Sequence, residues 1–76
     1  MFHITILNAK QVLFEGDAES AFFPGDQGEF EVLPYHAPIV SLLKEGEIVV
    51  DWKTAVPITR GMMKFMNEDC VVLAEV

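Results

Sequence analysis

The sequence is poor in cysteine and in basic residues, and both shortages exclude classes of function. Its one cysteine, Cys70, has no partner for an internal disulfide bond. Five lysines and arginines stand against twelve acidic residues, and the formal net charge is −7. That charge has the wrong sign for binding the phosphate backbone of nucleic acid or an anionic lipid surface. The chain therefore predicts neither a disulfide-stapled secreted domain nor a nucleic-acid-binding protein.

Long apolar runs are absent as well. No stretch of about 18 consecutive apolar residues occurs, and no charged segment precedes an apolar one at the start of the chain. The sequence therefore predicts no membrane-spanning helix, no direct insertion into a membrane and no secretory signal. Together with the single cysteine, this pattern favours a reducing, cytoplasmic compartment.

Residues that could carry catalysis or hold a metal are few. His3, His36 and Cys70 show none of the close spacings typical of metal ligands, and no glycine-rich phosphate loop is present. His36 is the best candidate for a general base, but no serine or cysteine nucleophile lies close to it in sequence. Cys70 begins an apolar segment, which is typical of a buried thiol. We therefore predict no enzyme activity, no metal and no cofactor.

Apolar residues make up 51% of the chain, enough for a folded core, and they alternate with polar residues over short segments. Turn-forming residues recur at intervals of about 8 to 12 residues or less, and no segment shows a helical period. Turns are predicted at residues 8–10, 15–17, 25–28, 44–46 and 67–69. Strands are predicted at residues 2–7, 12–14, 18–23, 29–33, 39–43, 47–52, 55–59, 62–66 and 70–74.

This pattern predicts one all-β domain over residues 1–76. Two packed sheets can bury both inner faces whereas one open sheet cannot, so we expect a two-sheet antiparallel β-sandwich of roughly eight to ten short strands. A partly open barrel is the alternative architecture. Pro57 cannot donate a hydrogen bond to a neighbouring strand, and its strand is therefore expected at the edge of a sheet.

Residues 24–38 carry the densest pattern, with three prolines, two glycines and one histidine around one short strand. Two of the prolines fix the backbone on either side of His36. Glu29 and Glu31 alternate with apolar residues. They indicate either a solvated strand face or an acidic rim that meets a basic loop of a partner.

The methionines of residues 62–66 leave a similar choice open. Alternation sends one side of this strand inward and leaves the other side exposed beside Lys64. Flexible thioether side chains suit a protein contact, and they equally suit the filling of an irregular core.

Segments across the whole chain resemble the N-terminal domain of the epsilon subunit of rotary F-type ATP synthases, called delta in mitochondria. The most specific mark is the pattern Gly-Glu-x-x-x-x-Pro-x-His-Ala-Pro at residues 28–38. Two residues depart from the family pattern, since Glu31 stands where glycine is common and Tyr35 where glycine or asparagine is common. The departures concern the local contact surface rather than the fold. The resemblance also rests on residues 2–7 (Phe-His-Ile-Thr-Ile-Leu), 13–16 (Leu-Phe-Glu-Gly), 44–48 (Lys-Glu-Gly-Glu-Ile) and 71–74 (Val-Val-Leu-Ala).

The resemblance implies a ten-stranded β-sandwich that holds the foot of the rotating gamma subunit and rests on the polar loops of the membrane ring of c subunits. The protein would be a non-catalytic rotor part that couples proton or sodium flow to ATP synthesis. It would lie peripherally on the cytoplasmic side of the bacterial inner membrane. Glu29 and His36 fall on positions that face the ring in the family, and Asn8 falls near the same end. The predicted interface residues are Asn8, Glu29, Glu31, Tyr35 and His36.

The family usually continues into a pair of C-terminal helices that can restrain ATP hydrolysis. Here the sequence stops at Val76, directly after the last predicted strand, so we expect no helical hairpin. The start at Met1 without a tag favours a naturally short form over a removed segment. The isolated domain is expected to be a monomer or to self-associate weakly. A free-standing β-sandwich that binds proteins by an edge strand is the alternative from another class.

Overall fold

Nine β-strands make up the protein, and it has no helix, as a computed structural model of all 76 residues shows. The predicted eight to ten short strands are confirmed. In chain order the strands are β1 (Phe2–Leu7), β2 (Val12–Ala18), β3 (Ala21–Phe23), β4 (Phe30–Val32), β5 (Ile39–Leu43), β6 (Gly46–Val50), β7 (Thr54–Ile58), β8 (Arg60–Met66) and β9 (Asp69–Glu75).

The strands form two sheets, which confirms the predicted sandwich over the barrel. The larger sheet has five strands in the order β2-β1-β9-β8-β5, and the smaller has four in the order β4-β3-β6-β7. All neighbours are antiparallel except β1 and β9, which run parallel. The parallel pair joins the first and last strands, so local alternation did not reveal it.

The core lies between the two sheets and contains sixteen buried apolar residues. Every second residue of β1 and β9 is buried, because successive side chains of a strand point to opposite faces. Phe2 and Phe65 meet edge to face with ring centroids 5.4 Å apart. The fully buried large side chains from both sheets include Phe2, Phe23, Phe65, Ile4, Ile6, Ile48 and Met63.

The turn predicted at residues 15–17 is wrong, because these residues belong to β2. Gly16 pairs with Ile4 and Asp17 with His3 in an uninterrupted antiparallel register. β2 ends instead at Ala18, and the chain passes to β3 of the other sheet through residues 19–20, where the Asp51 Oδ1 atom accepts hydrogen bonds from the backbone N–H groups of Glu19 (2.8 Å) and Ser20 (3.1 Å). The true turn is thus held by a carboxylate 31 or 32 residues away in sequence, which no local pattern shows.

The strand predicted to reach Trp52 ends at Val50. Asp51 and Trp52 have positive φ angles of 53° and 61°, and the Lys53 N–H donates to the Val50 carbonyl over 3.1 Å. Two left-handed residues in a row match the twist of a tight hairpin turn. Trp52 therefore continues the alternation in sequence but lies on a turn, where 71% of its surface is exposed.

Pro57 lies on an edge strand, as predicted, since β7 ends the four-stranded sheet. The turn predicted at residues 8–10 is also present. The Asn8 side-chain oxygen accepts hydrogen bonds from the backbone N–H groups of Lys10 and Gln11, both over 2.8 Å. Asparagine is common at this position because its side chain imitates a backbone carbonyl.

Candidate docking surfaces

The segment after β4 forms a stiff turn that displays Tyr35. The His36 N–H donates to the Leu33 carbonyl over 3.2 Å, and Tyr35 has a positive φ of 67°. This conformation is easy for glycine or asparagine and is strained for tyrosine. The Tyr35 N–H donates to the Glu68 carboxylate over 2.7 Å, and 88% of the residue is exposed. The turn is thus tied to the β8–β9 hairpin.

His36 is held in place on the edge of the core. Its Nδ1 atom donates to the Ala37 carbonyl over 2.6 Å, and its ring meets Phe65 edge to face with centroids 5.9 Å apart. The residue is partly exposed. Its ring is therefore oriented by the protein interior, and its other nitrogen remains available to a partner.

Glu29 and Glu31 flank Phe30 on the edge strand β4. Glu31 stands opposite Phe22 on the outer face of the four-stranded sheet, and Glu29 is exposed just before the strand begins. Asn8 is half-buried and follows β1. Its amide holds the turn described above, so Asn8 has a structural role whatever it contacts.

The five predicted interface residues do not lie at one end of the sandwich. Asn8 follows Leu7, which pairs with Leu73 near the end of β9. Tyr35 and His36 contact residues 68 and 65, beside the start of β9. Asn8 and His36 are therefore at opposite ends of the five-stranded sheet. The roles of the five residues in docking stay predictions. The expectation that Asn8 lies near the same end as His36 is wrong.

The outer face of the five-stranded sheet carries an apolar surface, of which the sequence indicated only the methionines. Leu7, Leu73, Met62 and Leu42 stand opposite one another across four neighbouring strands. Leu42 is 61%, Leu73 51% and Met62 45% exposed. Outward-facing positions of a sandwich are usually polar, so this row is unusual. We call this surface the apolar face. Its residues are Leu7, Val40, Leu42, Met62, Met66, Val71 and Leu73.

The core interpretation is confirmed for Met63, and the protein contact stays a prediction for Met62 and Met66. Met63 is fully buried and fills the core, whereas Met62 and Met66 are exposed on either side of Lys64. A sequence signal for the β9 part of the apolar face was present in residues 71–74, which are apolar at four successive positions. A strand with one wet face would alternate there.

A groove of about 550 Å³ continues the apolar face at one end of the sheet. Leu42, Met62 and Leu73 line its apolar side, and Asn8 lies at its rim. Arg60 and Glu75 also line it and form an ion pair with a distance of 3.1 Å between Arg60 Nε and Glu75 Oε1. Asn8 is thus next to the apolar face, which connects one predicted interface residue to this surface.

His3 forms a small charged cluster on the same sheet. Its Nε2 atom lies 3.0 Å from Glu15 Oε2 and its Nδ1 atom 3.4 Å from Asp17 Oδ1, both on β2. Asp69 on β9 stands beside it in register on the other side. Hydrogen bonds to Glu15 and then Asp17 raise the pKa of His3 above its ordinary value of 6.5. The protonated ring therefore joins the edge strand β2 to β1.

We expect this cluster to make stability depend on pH. A folded pKa above the unfolded value means that the stabilisation is complete below pH 6.5 and is lost as the pH rises through the higher folded pKa. Urea unfolding over mildly acidic to mildly alkaline buffers measures this loss. His3→Gln should flatten the profile in that range, and an unchanged slope in the variant would contradict the assignment.

Cys70 is a core residue, as predicted. Burial, and to a smaller degree the charge of Asp69, raises the pKa of its thiol from 9.0 to about 12. The thiol is therefore protonated at neutral pH, and the thiolate is the nucleophilic form.

The structure holds no group of three histidine, cysteine or acidic residues placed to bind one metal ion.

Because the chain forms strands throughout, it has no helix with the length and apolar character needed to cross a membrane.

The fold and the apolar face define a small β-sandwich with a surface typical of docking between proteins. The chain matches the family described as "ATP synthase, Delta/Epsilon chain, beta-sandwich domain" over residues 1–76. The chain belongs to this family, and the resemblance found in its sequence is confirmed.

Similar proteins agree with this assignment. The ATP synthase epsilon chain of a Nitratiruptor species is 36% identical over 76 residues, covering 95% of this chain and 59% of the relative. The epsilon chain of Campylobacter concisus is 38% identical over 77 residues, covering 96% of this chain and 60% of the relative. The chain thus spans about three fifths of these relatives.

A solved structure supports the fold independently. A chain in the cryo-EM structure of the central stalk and c-ring of the Tetrahymena thermophila mitochondrial ATP synthase superimposes with a TM-score of 0.78. The match covers 97% of this chain and 63% of that chain, with 10% sequence identity. At that identity the likeness concerns the β-sandwich architecture alone.

Proposed function

We propose that this protein is a rotor part of an F-type ATP synthase that joins the gamma subunit to the c-ring and itself performs no catalysis. The observation that carries the proposal is the apolar face on a chain of this family. A face of this kind on a rigid, acidic domain is best explained by a permanent partner, because leaving it in water is unfavourable.

We assign the apolar face to the gamma subunit. Four side chains in one row across β1, β9, β8 and β5 present a flat apolar strip, and flat strips pack well against another secondary-structure element. Met62 and Met66 can adapt their shape to a partner, and Lys64 between them supplies one charge to set orientation. Asn8 at the rim of the groove lies within the same surface.

We assign the edge strand β4 and its two flanking turns to the c-ring. Glu29 precedes the strand and His36 follows it, so the two residues are separated by at least the length of the three-residue strand, about 10 Å. An acidic Glu29 could pair with an arginine or lysine of a ring loop. Glu68 holds the Tyr35 backbone and Phe65 holds the His36 ring, so little backbone freedom at Tyr35 and little side-chain freedom at His36 is lost on docking.

A coupling part needs stiffness rather than a reactive site. Two sheets packed through sixteen buried apolar residues supply a rigid body. Within this proposal the protein lies on the cytoplasmic side of the bacterial inner membrane and is peripheral to it, held by the gamma subunit and the ring.

Binding of the purified chain to the purified gamma subunit of the same ATP synthase tests the proposal directly. We expect a stable one-to-one complex by analytical ultracentrifugation, and binding of that complex to isolated c-rings in detergent. The absence of any complex with gamma would overturn the proposal and would favour a free-standing binding module.

His36→Ala should weaken the assembly with the c-ring by about 1 to 2 kcal/mol, the usual loss for a partly buried contact residue. The fold should persist, because the His36 ring lies at the edge of the core. The matched control is His3→Ala, which removes the other histidine of the chain, whose ring lies against Glu15 and Asp17 of β2 rather than against Phe65. Equal affinity for His36→Ala and the unmodified chain would remove His36 from the interface.

A further inference from the structure

The outer face of the four-stranded sheet, opposite the apolar face, carries a cleft of about 580 Å³. Phe22 and Trp52 form its aromatic part and meet edge to face with ring centroids 4.6 Å apart. Val49, which pairs with Phe22 across the sheet, lies in its lining as well. Trp52 reaches this position because the left-handed turn after β6 turns it over the sheet.

The polar lining of the cleft is entirely acidic. Glu29 and Glu47 both line it, and Glu31 stands opposite Phe22 on the same face. None of these three carboxylates forms an ion pair or a side-chain hydrogen bond, whereas Glu15, Glu68 and Glu75 all have partners within the chain. No lysine or arginine lines the cleft. Its charge is therefore not neutralised by this protein.

We propose that this cleft binds an arginine side chain of a partner protein segment. A guanidinium is planar, stacks on an aromatic ring and donates hydrogen bonds to carboxylates, so it matches an aromatic surface with acidic groups beside it. Arginine fits better than lysine because lysine offers a compact, strongly hydrated charge with no plane to stack. The proposal is independent of the gamma contact, because the cleft and the apolar face lie on opposite sides of the sandwich. It shares Glu29 with the proposed c-ring contact and to that extent rests on the proposed function.

The single tryptophan makes the test direct, because Trp52 fluorescence reports the cleft alone. The probe is an acetylated Gly-Arg-Gly amide. The control peptide carries citrulline in place of arginine, which keeps the shape and removes the charge. We expect the arginine peptide to change Trp52 fluorescence and to shift amide NMR signals of β3 and β6. The citrulline peptide should bind at least about tenfold more weakly.

Variants distinguish binding in this cleft from general attraction between a cationic peptide and an acidic protein. Glu47→Gln should weaken binding of the arginine peptide about fivefold. Glu45→Gln removes the same charge from an exposed position outside the cleft and should change affinity less than about twofold. Equal losses for both variants, or equal binding of the two peptides, would overturn the proposal. Binding of gamma is measured separately, so failure here leaves the gamma assignment untouched, and His36→Ala tests the c-ring assignment without Glu29.

Discussion

Replacing Phe65 by alanine is expected to unfold a large fraction of the protein at physiological temperature. Phe65 is 1% exposed and contacts Phe2, so its removal leaves a cavity between the sheets. A buried phenylalanine replaced by alanine typically costs about 3 to 5 kcal/mol. A domain of this size has a total stability of roughly 4 to 11 kcal/mol, so one such change removes a large part of it.

Urea unfolding followed by circular dichroism measures this effect. Phe65→Leu keeps most of the volume and should cost much less, roughly 1 to 2 kcal/mol, while Met66→Ala changes an exposed neighbour and should cost less than about 1 kcal/mol. A loss below about 1 kcal/mol for Phe65→Ala would mean that the sheets do not pack around this ring. Phe65→Leu also removes the aromatic support of His36 and should resemble His36→Ala in c-ring binding.

Leu73→Glu is expected to reduce affinity for the gamma subunit by roughly thirtyfold or more, since a central contact residue commonly contributes about 2 kcal/mol or above. Leu73 stands between Leu7 and Met62 in the apolar row and is half-exposed, so a charge there can stay solvated in the free protein. In the complex the same charge would be buried without a partner.

Ala55→Glu is the matched control, because it adds the same charge to an exposed position of β7 on the other sheet. It should leave gamma binding unchanged. Any weak self-association of the unmodified chain at high concentration should disappear in Leu73→Glu and persist in Ala55→Glu. If the two variants bind gamma equally well, the apolar face is not its docking surface.

The sequence predicted the strands well where one side of a strand is buried. Residues such as Ile4 and Ile6, or Val72 and Ala74, alternate with outward residues, and the period of two follows directly from strand geometry. The edge position of Pro57 followed from its missing N–H group. The turn at Asn8 followed from the side chain's ability to accept backbone hydrogen bonds.

Prediction failed where distant parts of the chain decide the local structure. Residues 15–17 contain Gly16, a common turn residue, yet pairing with β1 keeps them extended. The turn at Ser20 depends on Asp51, and Trp52 leaves the strand because the hairpin closes there. The five interface residues were placed together from their family positions, but strand direction puts Asn8 and His36 at opposite ends of the five-stranded sheet.

The sequence by itself determined the all-β class, the alternation within most strands and the family, because alternation and the residues 28–38 pattern are local properties of the chain. Only the tertiary structure decided which outward side chains become neighbours. The apolar row joins strands from the two ends and the middle of the chain, and the aromatic cleft joins β3 to the turn after β6. Both surfaces depend on strand register, which is set by packing of the whole core rather than by any one segment.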